Sequence, residues 1–203
     1  MPVRGKRGRY HHGELRTALI DTAIEIIGEQ GVRHFSVAEA SRRLGVAVSA
    51  PYAHFADRDD LLAAVAVHAY ELFYAESQAE MSRVRTPAKR LAAMVRAYVR
   101  FAGTHRPLFE VLFDAGLDKS RHPDIQAAEK PIDDAFLDCV RDLADDDAAS
   151  DDLAGTVEAV AHGHATLLLD GRFGQGDQAV DIAAGRAARA TLALIEGRHL
   201  LSR

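Results

Sequence analysis

Apolar positions recur every three or four residues along most of the chain, a spacing typical of amphipathic α-helices. In the first such stretch, residues 14–30, Leu19, Ala23 and Ile27 fall on one face. Further stretches follow at about residues 58–81, 87–102, 107–115, 123–144, 153–169 and 178–197. No stretch alternates as a half-buried strand would. With two short helices between residues 37 and 55, the pattern predicts an all-α fold of about nine helices.

The two short helices are delimited by their capping and turn residues. Ser36 is a good N-cap, and Glu39 three residues later completes a capping box. Gly45 supplies a turn position with positive φ. The next helix is predicted to begin between residues 46 and 49, because Pro51 is tolerated only in a first turn. This order matches a helix-turn-helix, whose second helix lies in the major groove of DNA.

The second short helix is expected to turn one face toward DNA. Ala38, Leu44 and Val46 are expected to pack between the two helices. Ser49 suits hydrogen bonding to base edges, whereas Tyr52 and His54 suit phosphate contacts. Arg58 is either a phosphate ligand or an ordinary surface cation. The residues predicted to contact DNA from this region are Ser36, Val48, Ser49, Ala50, Tyr52, His54 and Arg58.

The distribution of charge adds a basic arm to this picture. The net charge is −5, yet residues 1–56 hold eight Lys or Arg against five Asp or Glu, and the remainder is acidic. Four cations precede the first helix: Arg4, Lys6, Arg7 and Arg9. Such an arm strengthens DNA binding through counterion release. The alternative is a disordered terminus that only improves solubility.

Other classes of protein have weak support. No apolar run approaches the ~20 residues of a membrane span, so a soluble, cytoplasmic protein without membrane contact is expected. The single Cys139 is expected to be a buried, reduced thiol. Glu158 and His162 share a helical face but lack further metal ligands. Asp145 to Asp147 are assigned to a solvated loop. With no catalytic set in the sequence, neither an enzyme nor a cofactor is expected.

Between residues 15 and 62 the chain resembles the DNA-binding domain of TetR-type transcriptional regulators. The matching motifs are Ser36-Val37, Leu44-Gly45-Val46, Tyr52-Ala53-His54-Phe55 and Asp57-Arg58-Asp59-Asp60-Leu61. Ala47 departs from the family pattern, which commonly has Ser or Thr there as a cap. The segments Tyr10 to Arg16, Val160 to Gly163 and Leu167 to Leu169 resemble the subgroup named for Trp, His and Gly, although the chain contains no Trp.

The resemblance implies a DNA-binding domain at residues 1–56 and a helical ligand-binding and dimerisation domain at residues 57–203. It also implies a homodimer on a palindromic operator, with repression relieved by a small molecule. The alternative is a dimeric ligand-binding helical protein whose helix-turn-helix no longer reads DNA specifically.

Two sets of functional residues are predicted in the second domain. Small residues on the last two helices predict the dimer interface, with burial inside one subunit as the alternative: Ala159, His162, Gly163, Thr166, Asp170, Ala183, Ala184, Ala187, Ala190, Thr191 and Leu194. Mostly aromatic residues on the central helices predict a ligand pocket, with plain core packing as the alternative: Tyr70, Phe73, Tyr74, Met94, Tyr98, Phe101, Phe109, Phe113 and Phe136.

Overall fold

The computed structural model describes residues 12–201, and this part of the chain consists of helices joined by loops, without strands. It contains eight α-helices: α1 His12–Gln30, α2 Val37–Leu44, α3 Arg58–Met81, α4 Pro87–Thr104, α5 Arg106–Asp114, α6 Pro123–Arg141, α7 Asp147–Leu169 and α8 Asp177–Glu196. Four 3₁₀ helices accompany them: Val32–His34, Ala50–Ala53, Lys119–Arg121 and Arg198–Leu200. The all-α prediction is confirmed. Within these residues, no helix has the length and apolarity needed to cross a membrane.

Polar side chains cap the helices where the sequence predicts them. The Ser36 hydroxyl accepts a hydrogen bond from the backbone N–H of Glu39 at 3.2 Å. Asp57 and Thr86 cap α3 and α4 in the same way, and Pro87 occupies the first turn of α4. These contacts satisfy N–H groups that have no partner within the helix.

The start of α7 differs from the prediction. The apolar spacing predicts that this helix begins at about residue 153, after a loop that includes Asp145 to Asp147. The carboxylate of Asp146 instead accepts from the backbone N–H of Ala149 at 2.8 Å, and α7 begins at Asp147. An aspartate is as good an N-cap as a serine, so the earlier aspartate takes the role and Ser150 becomes a buried helical residue.

Helix α4 is the centre of the fold and packs against α3, α5, α6, α7 and α8. Leu91 and Val99 are completely buried in it. Near its C-terminal end, Gly103 brings α4 very close to α8. A Cβ atom at residue 103 would lie 2.7 Å from Cγ2 of Val180 and 3.0 Å from Cδ2 of Leu168. The absence of a side chain at Gly103 therefore sets the distance between these helices.

Cys139 is a buried free thiol on α6, as predicted. Burial raises the pKa of its thiol, so the neutral form is favoured in the fold.

The close approach at Gly103 leads to a stability prediction. Gly103→Ala should lower the free energy of unfolding by about 1–3 kcal/mol, because Val180 and Leu168 must move to admit the methyl group. Urea denaturation followed by circular dichroism measures the change.

Gly155→Ala is the matched control, because nothing lies within 4 Å of the position of its added Cβ. It should raise stability by about 0.5–1 kcal/mol through better helix propensity. Equal effects of the two substitutions would contradict the packing argument.

Candidate nucleic-acid interface and ligand cavity

The turn after α2 has the geometry that the sequence predicts. Gly45 is left-handed with φ 67°, and its N–H donates to the carbonyl groups at the end of α2. Val46 N–H donates to the Ser41 carbonyl at 3.1 Å. These bonds close α2 and reverse the chain, which then leads into the second half of the helix-turn-helix.

The predicted second helix is shorter and tighter than expected. It is a single 3₁₀ turn, Ala50–Ala53, in place of an α-helix beginning between residues 46 and 49. Pro51 lies in its first turn, as predicted, but lacks an N–H donor. Ser49 makes no side-chain capping bond, and Ala47 has no hydroxyl to make one. Forming the first turn of an α-helix is unfavourable. Without a side-chain cap to stabilise that turn, the segment forms a single 3₁₀ turn.

Several predicted DNA contacts form the exposed face of this 3₁₀ turn. Val48 is 59% exposed and Tyr52 is 55% exposed, and Ser49 is also exposed. Ala50 and His54 are half-buried. The packing prediction for Ala38 is wrong, because this residue is exposed while Val37, Ala40 and Ser41 form the buried side of α2.

The acidic side chain of α2 binds arginines and leaves the predicted capping box half formed. Glu39 accepts from Arg42 at 2.8 and 2.6 Å and from Arg43 at 3.0 Å. Arg43 also donates to both oxygens of Glu29 on α1, at 2.9 and 2.6 Å. Hydrogen bonds from Arg42 and then Arg43 lower the pKa of Glu39 to about 2. This network joins α2 to α1 and engages both arginines within the protein.

Arg58 has a structural position that the phosphate hypothesis does not anticipate. Its guanidinium donates to the carbonyl of Val32 at 2.8 Å and to the carbonyl of Phe35 at 3.2 Å. It also forms an ion pair with Asp59 at 3.2 Å. Because these contacts hold the start of α3 against residues 32–35, we infer a structural role for Arg58, and its phosphate contact stays a prediction. The predicted arm residues Arg4, Lys6, Arg7 and Arg9 lie outside the described residues.

A cavity of about 490 Å³ opens between α3, α4, α6 and α7. Six of the predicted pocket residues line it: Tyr70, Phe73, Met94, Tyr98, Phe113 and Phe136. Phe101 and Phe109 are only 1% and 4% exposed and pack behind this wall. Phe101 lies 5.4 Å from the ring of Phe73, centre to centre. Tyr74 borders a different, shallower groove of about 690 Å³ with mostly charged walls. The pocket prediction is therefore corrected for Phe101, Phe109 and Tyr74.

The cavity also has a charged side that sequence reasoning missed. Lys119, Glu129, Asp133 and Glu158 line it. Glu129 and Asp133 are one helical turn apart on α6, and that spacing was the available signal in the sequence. Lys119 belongs to residues 118–122, which we call the bridging segment.

The bridging segment contacts both the cavity and the start of α3. Lys119 Nζ donates to both carboxylate oxygens of Glu129 at 2.6 Å. His122 is only 8% exposed, and its Nδ1 lies 3.5 Å from Oδ1 of Asp60. The other oxygen of Asp60 accepts from the backbone N–H of Ala56 at 2.9 Å. The backbone of residues 119–122 therefore joins a polar contact with the cavity wall to a polar contact with Asp60, which in turn binds the segment that follows the 3₁₀ turn.

The predicted dimer residues of α7 divide between two faces. Ala159, Thr166 and Asp170 are exposed, and Gly163 is half-buried. His162 is also exposed, and it lines the cavity, where its Nδ1 and the Tyr98 hydroxyl are hydrogen-bonded at 2.9 Å. Its place in the dimer interface stays a prediction.

On α8, part of the predicted dimer face is the buried face. Ala183, Ala184, Ala187 and Thr191 are all 0% exposed. Their assignment to the interface is wrong, because small residues here allow α8 to approach α4. Ala190 and Leu194 are half-buried. The exposed stripe of α8 contains Ile182 at 38% exposure, and Leu167 of α7 is 44% exposed.

Two family profiles match the chain. The family described as "Bacterial regulatory proteins, tetR family" matches residues 19–65, and "Tetracyclin repressor-like, C-terminal domain" matches residues 91–193. The second match alone covers half of the chain. The chain belongs to the TetR family. Proteins of this family are DNA-binding transcriptional regulators. The boundary between residues 56 and 57, and the Trp-His-Gly subgroup, stay predictions.

Individual relatives agree with the TetR assignment. The HTH-type transcriptional regulator BetI of Rhizobium meliloti (strain 1021) is 29% identical over 85 residues, 42% of each chain. The match thus spans less than half of that relative's length. A protein of unknown function from Rhodococcus sp. RHA1 is 28% identical, with a TM-score of 0.70, over 92% of this chain and 98% of the other. The fold therefore matches over nearly the whole TetR-family chain.

A further solved structure shares the fold. A protein described as a "putative transcriptional regulator" from Saccharomonospora viridis, solved in complex with choline, has a TM-score of 0.67 and 19% identity over 91% of this chain and 97% of the other. At this level of identity, the match supports the TetR fold alone.

The structural role of Arg58 leads to a prediction that separates it from a phosphate contact. Arg58→Met should lower the free energy of unfolding by about 1.5–3 kcal/mol, since two carbonyl groups lose charged donors. The slope of log affinity for DNA against log salt should stay unchanged. A lost phosphate contact would reduce that slope by about 0.9.

Urea denaturation and DNA binding at several salt concentrations provide the two measurements. Arg96→Met, at an exposed site on α4, is the control and should change neither. A reduced salt slope with unchanged stability would support the phosphate role of Arg58.

Proposed function

We propose that the protein is a sequence-specific DNA-binding regulator, a repressor that a small-molecule ligand releases from a palindromic operator. The observation that carries this proposal is the exposure of Val48 and Tyr52, at 59% and 55%. Both side chains lie beside a turn that Gly45 and the buried Pro51 hold in place, and neither packs into the subunit. Binding to an operator implies a cytoplasmic protein. The proposal requires no cofactor and no enzymatic activity.

DNA offers partners for each exposed group of the 3₁₀ turn. Val48 and Ala50 suit thymine methyl groups, and Ser49 suits a base edge. Tyr52 and His54 suit phosphate oxygens, and so does the N-terminal end of α2 at Ser36. The arm residues would add salt-dependent affinity by releasing counterions. Because strong base-reading side chains are few, we infer that shape and backbone contacts contribute much of the specificity.

The bridging segment supports ligand control of DNA binding. A ligand shifts an equilibrium between two states only if it binds them with different affinity. A ligand in the cavity meets Glu129, the partner of Lys119, and the same segment reaches Asp60 through His122. Moving this segment changes the support of Ala56, directly after the 3₁₀ turn. We infer that ligand binding reorients the 3₁₀ turn by this route.

A homodimer supplies the second half-site contact, because a two-fold axis pairs two turns on one palindrome. We propose that the exposed stripes of α7 and α8 form its interface. Ala159, Gly163 and Thr166 permit close approach, and Leu167 and Ile182 are exposed apolar side chains of the kind that interfaces bury.

The ligand itself is not given by the fold. Choline belongs to the Saccharomonospora viridis chain, which is 19% identical. The charge and shape of this cavity must therefore decide what this protein binds.

Selection of bound sequences from a random duplex library tests the DNA-binding proposal. The purified protein should enrich a palindrome, and Tyr52→Ala should weaken binding to all sequences by about three- to tenfold through loss of a phosphate hydrogen bond. Ser49→Ala should relax the preference at one position of each half-site. Binding is measured by fluorescence anisotropy on the selected duplex.

Tyr74→Ala is the matched control, because Tyr74 is a surface tyrosine on α3, away from the 3₁₀ turn. It should leave DNA affinity unchanged. Weak, salt-sensitive binding without an enriched sequence would contradict the proposal and favour the alternative of a dimeric ligand-binding protein that no longer reads DNA.

Substitutions on two exposed helix faces test the dimer. Ala159→Arg on α7 should give a monomer by light scattering at micromolar concentration, because a long cation in a close interface is unfavourable. Ala127→Arg on α6 introduces the same side chain at another exposed alanine and should leave the dimer intact. A monomeric parent protein, or equal behaviour of both variants, would exclude the proposed interface.

A further inference from the structure

The cavity contains more negative than positive charge. Its acidic and basic side chains, apart from His162, are three carboxyl groups and one amine: Glu129, Asp133, Glu158 and Lys119. The ammonium is already engaged. Lys119 Nζ lies 2.6 Å from each oxygen of Glu129, and the Tyr70 hydroxyl donates to Glu129 at 2.8 Å. The Glu129 charge is therefore compensated by protein groups.

The other two carboxylates lack such compensation. Neither Asp133 nor Glu158 has a hydrogen-bond or ion-pair partner among residues 14–201. Partial burial and the charges of Glu129 and Glu158 raise the pKa of Asp133, and the ammonium group of Lys119 offsets part of this rise. Asp133 is therefore close enough to Glu158 to experience its charge. Both side chains are exposed and can therefore be reached by a ligand. Two neighbouring carboxylates attract a cation and repel an anion.

Aromatic walls favour the same sign of charge. The rings of Phe73 and Tyr98 meet edge to face, with 5.7 Å between their centres, and Phe113 lies 6.1 Å from Tyr98. The faces of aromatic rings attract cations and also bury apolar surface. The Tyr98 hydroxyl is already bonded to His162, which reduces its availability to a ligand.

The size of the cavity sets the scale of its ligand. A volume of about 490 Å³ is in the range of sites for small organic molecules. Met94, Ile132 and Val157 add apolar surface between the aromatic rings and the carboxylates. The ligand that fits both regions has a positively charged group at one end and an apolar body at the other.

We propose that the cavity binds an organic cation, an amine or quaternary ammonium on an apolar or aromatic body. The positive group is held by Asp133 and Glu158, and the body contacts Phe73, Tyr98 and Phe113. A role for this binding in controlling DNA binding rests on the proposed function, but the binding of the cation itself does not.

Three probes of matched length test the charge preference: phenylbutylamine, phenylbutanol and phenylbutyrate. Isothermal titration of the full chain without DNA measures each affinity. The amine should bind at least about tenfold more tightly than the alcohol, the ratio that one favourable charge contact of about 1.4 kcal/mol gives. The acid should bind weakest. Equal affinity for amine and alcohol, or tightest binding of the acid, would overturn the proposal.

Carboxylate variants locate the charge recognition. Asp133→Asn and Glu158→Gln should each weaken amine binding about tenfold and leave alcohol binding unchanged. Asp134→Asn is the matched control, because the adjacent carboxylate pairs with Lys130 at 2.7 Å outside this cavity. It should change neither affinity. If neutralising Asp133 and Glu158 leaves amine binding intact, the assignment of these two residues is wrong.

Addition of the amine to the complex with the selected duplex separates the two proposals. Amine binding without DNA release would leave the cavity assignment standing and contradict the repressor mechanism. Specific DNA binding without any preference for the amine would overturn the cation proposal alone.

Discussion

The close contact between α4 and α8 is the constraint on which the rest of the ligand-binding half depends. Gly103 has no side chain, so α8 can lie against the central helix with Val180 over the glycine. The alanines of α8 are buried at this contact. Once α8 occupies one side of α4, the side that carries Met94 and Tyr98 is left to form the cavity wall with α3, α6 and α7. One side of α4 therefore packs against α8 in the core, and another side of the same helix lines the cavity.

Local chemistry made much of this fold predictable. The caps at Ser36, Asp57 and Thr86 fix where helices begin, and the positive φ of Gly45 fixes where α2 ends. These signals involve neighbours along the chain, so the sequence contains them directly. The exposed positions of Val48 and Tyr52 followed from the same reasoning.

The structural features that could not be predicted from the sequence depend on tertiary contacts. An alanine-rich helix such as α8 has small residues on more than one face, and composition does not show which face meets α4. Arg58 looked like a surface cation, but carbonyl groups of Val32 and Phe35 orient it in the fold. The charged cavity wall was missed because Glu129 and Asp133 also suit a solvated helix face. The predicted second helix forms only a 3₁₀ turn, because the free-energy cost of nucleating an α-helix exceeds the helix propensity of these few residues.

The cavity and the 3₁₀ turn require different structural properties of the chain. The turn needs exposed groups on a rigid support, and the Glu39–Arg43–Glu29 network and Arg58 supply that rigidity. The cavity needs space and polar groups that a ligand can reach, and in the described part of the chain Asp133 and Glu158 are exposed carboxylates without a hydrogen-bond or ion-pair partner. The bridging segment joins these two environments through Lys119 and His122.

If the bridging segment transmits ligand binding as we propose, the choice of ligand and the transmission of its binding depend largely on different residues. Among the aromatic side chains that line the cavity, Tyr70 contacts this segment directly, because Lys119 donates to its hydroxyl at 3.2 Å. Replacing Phe113 or Phe136 would change which molecules fit while retaining the connection to Asp60. A lineage that keeps Lys119, Glu129, His122 and Asp60 could thus acquire a new inducer without rebuilding its response, and the same separation suits this chain to engineering as a sensor.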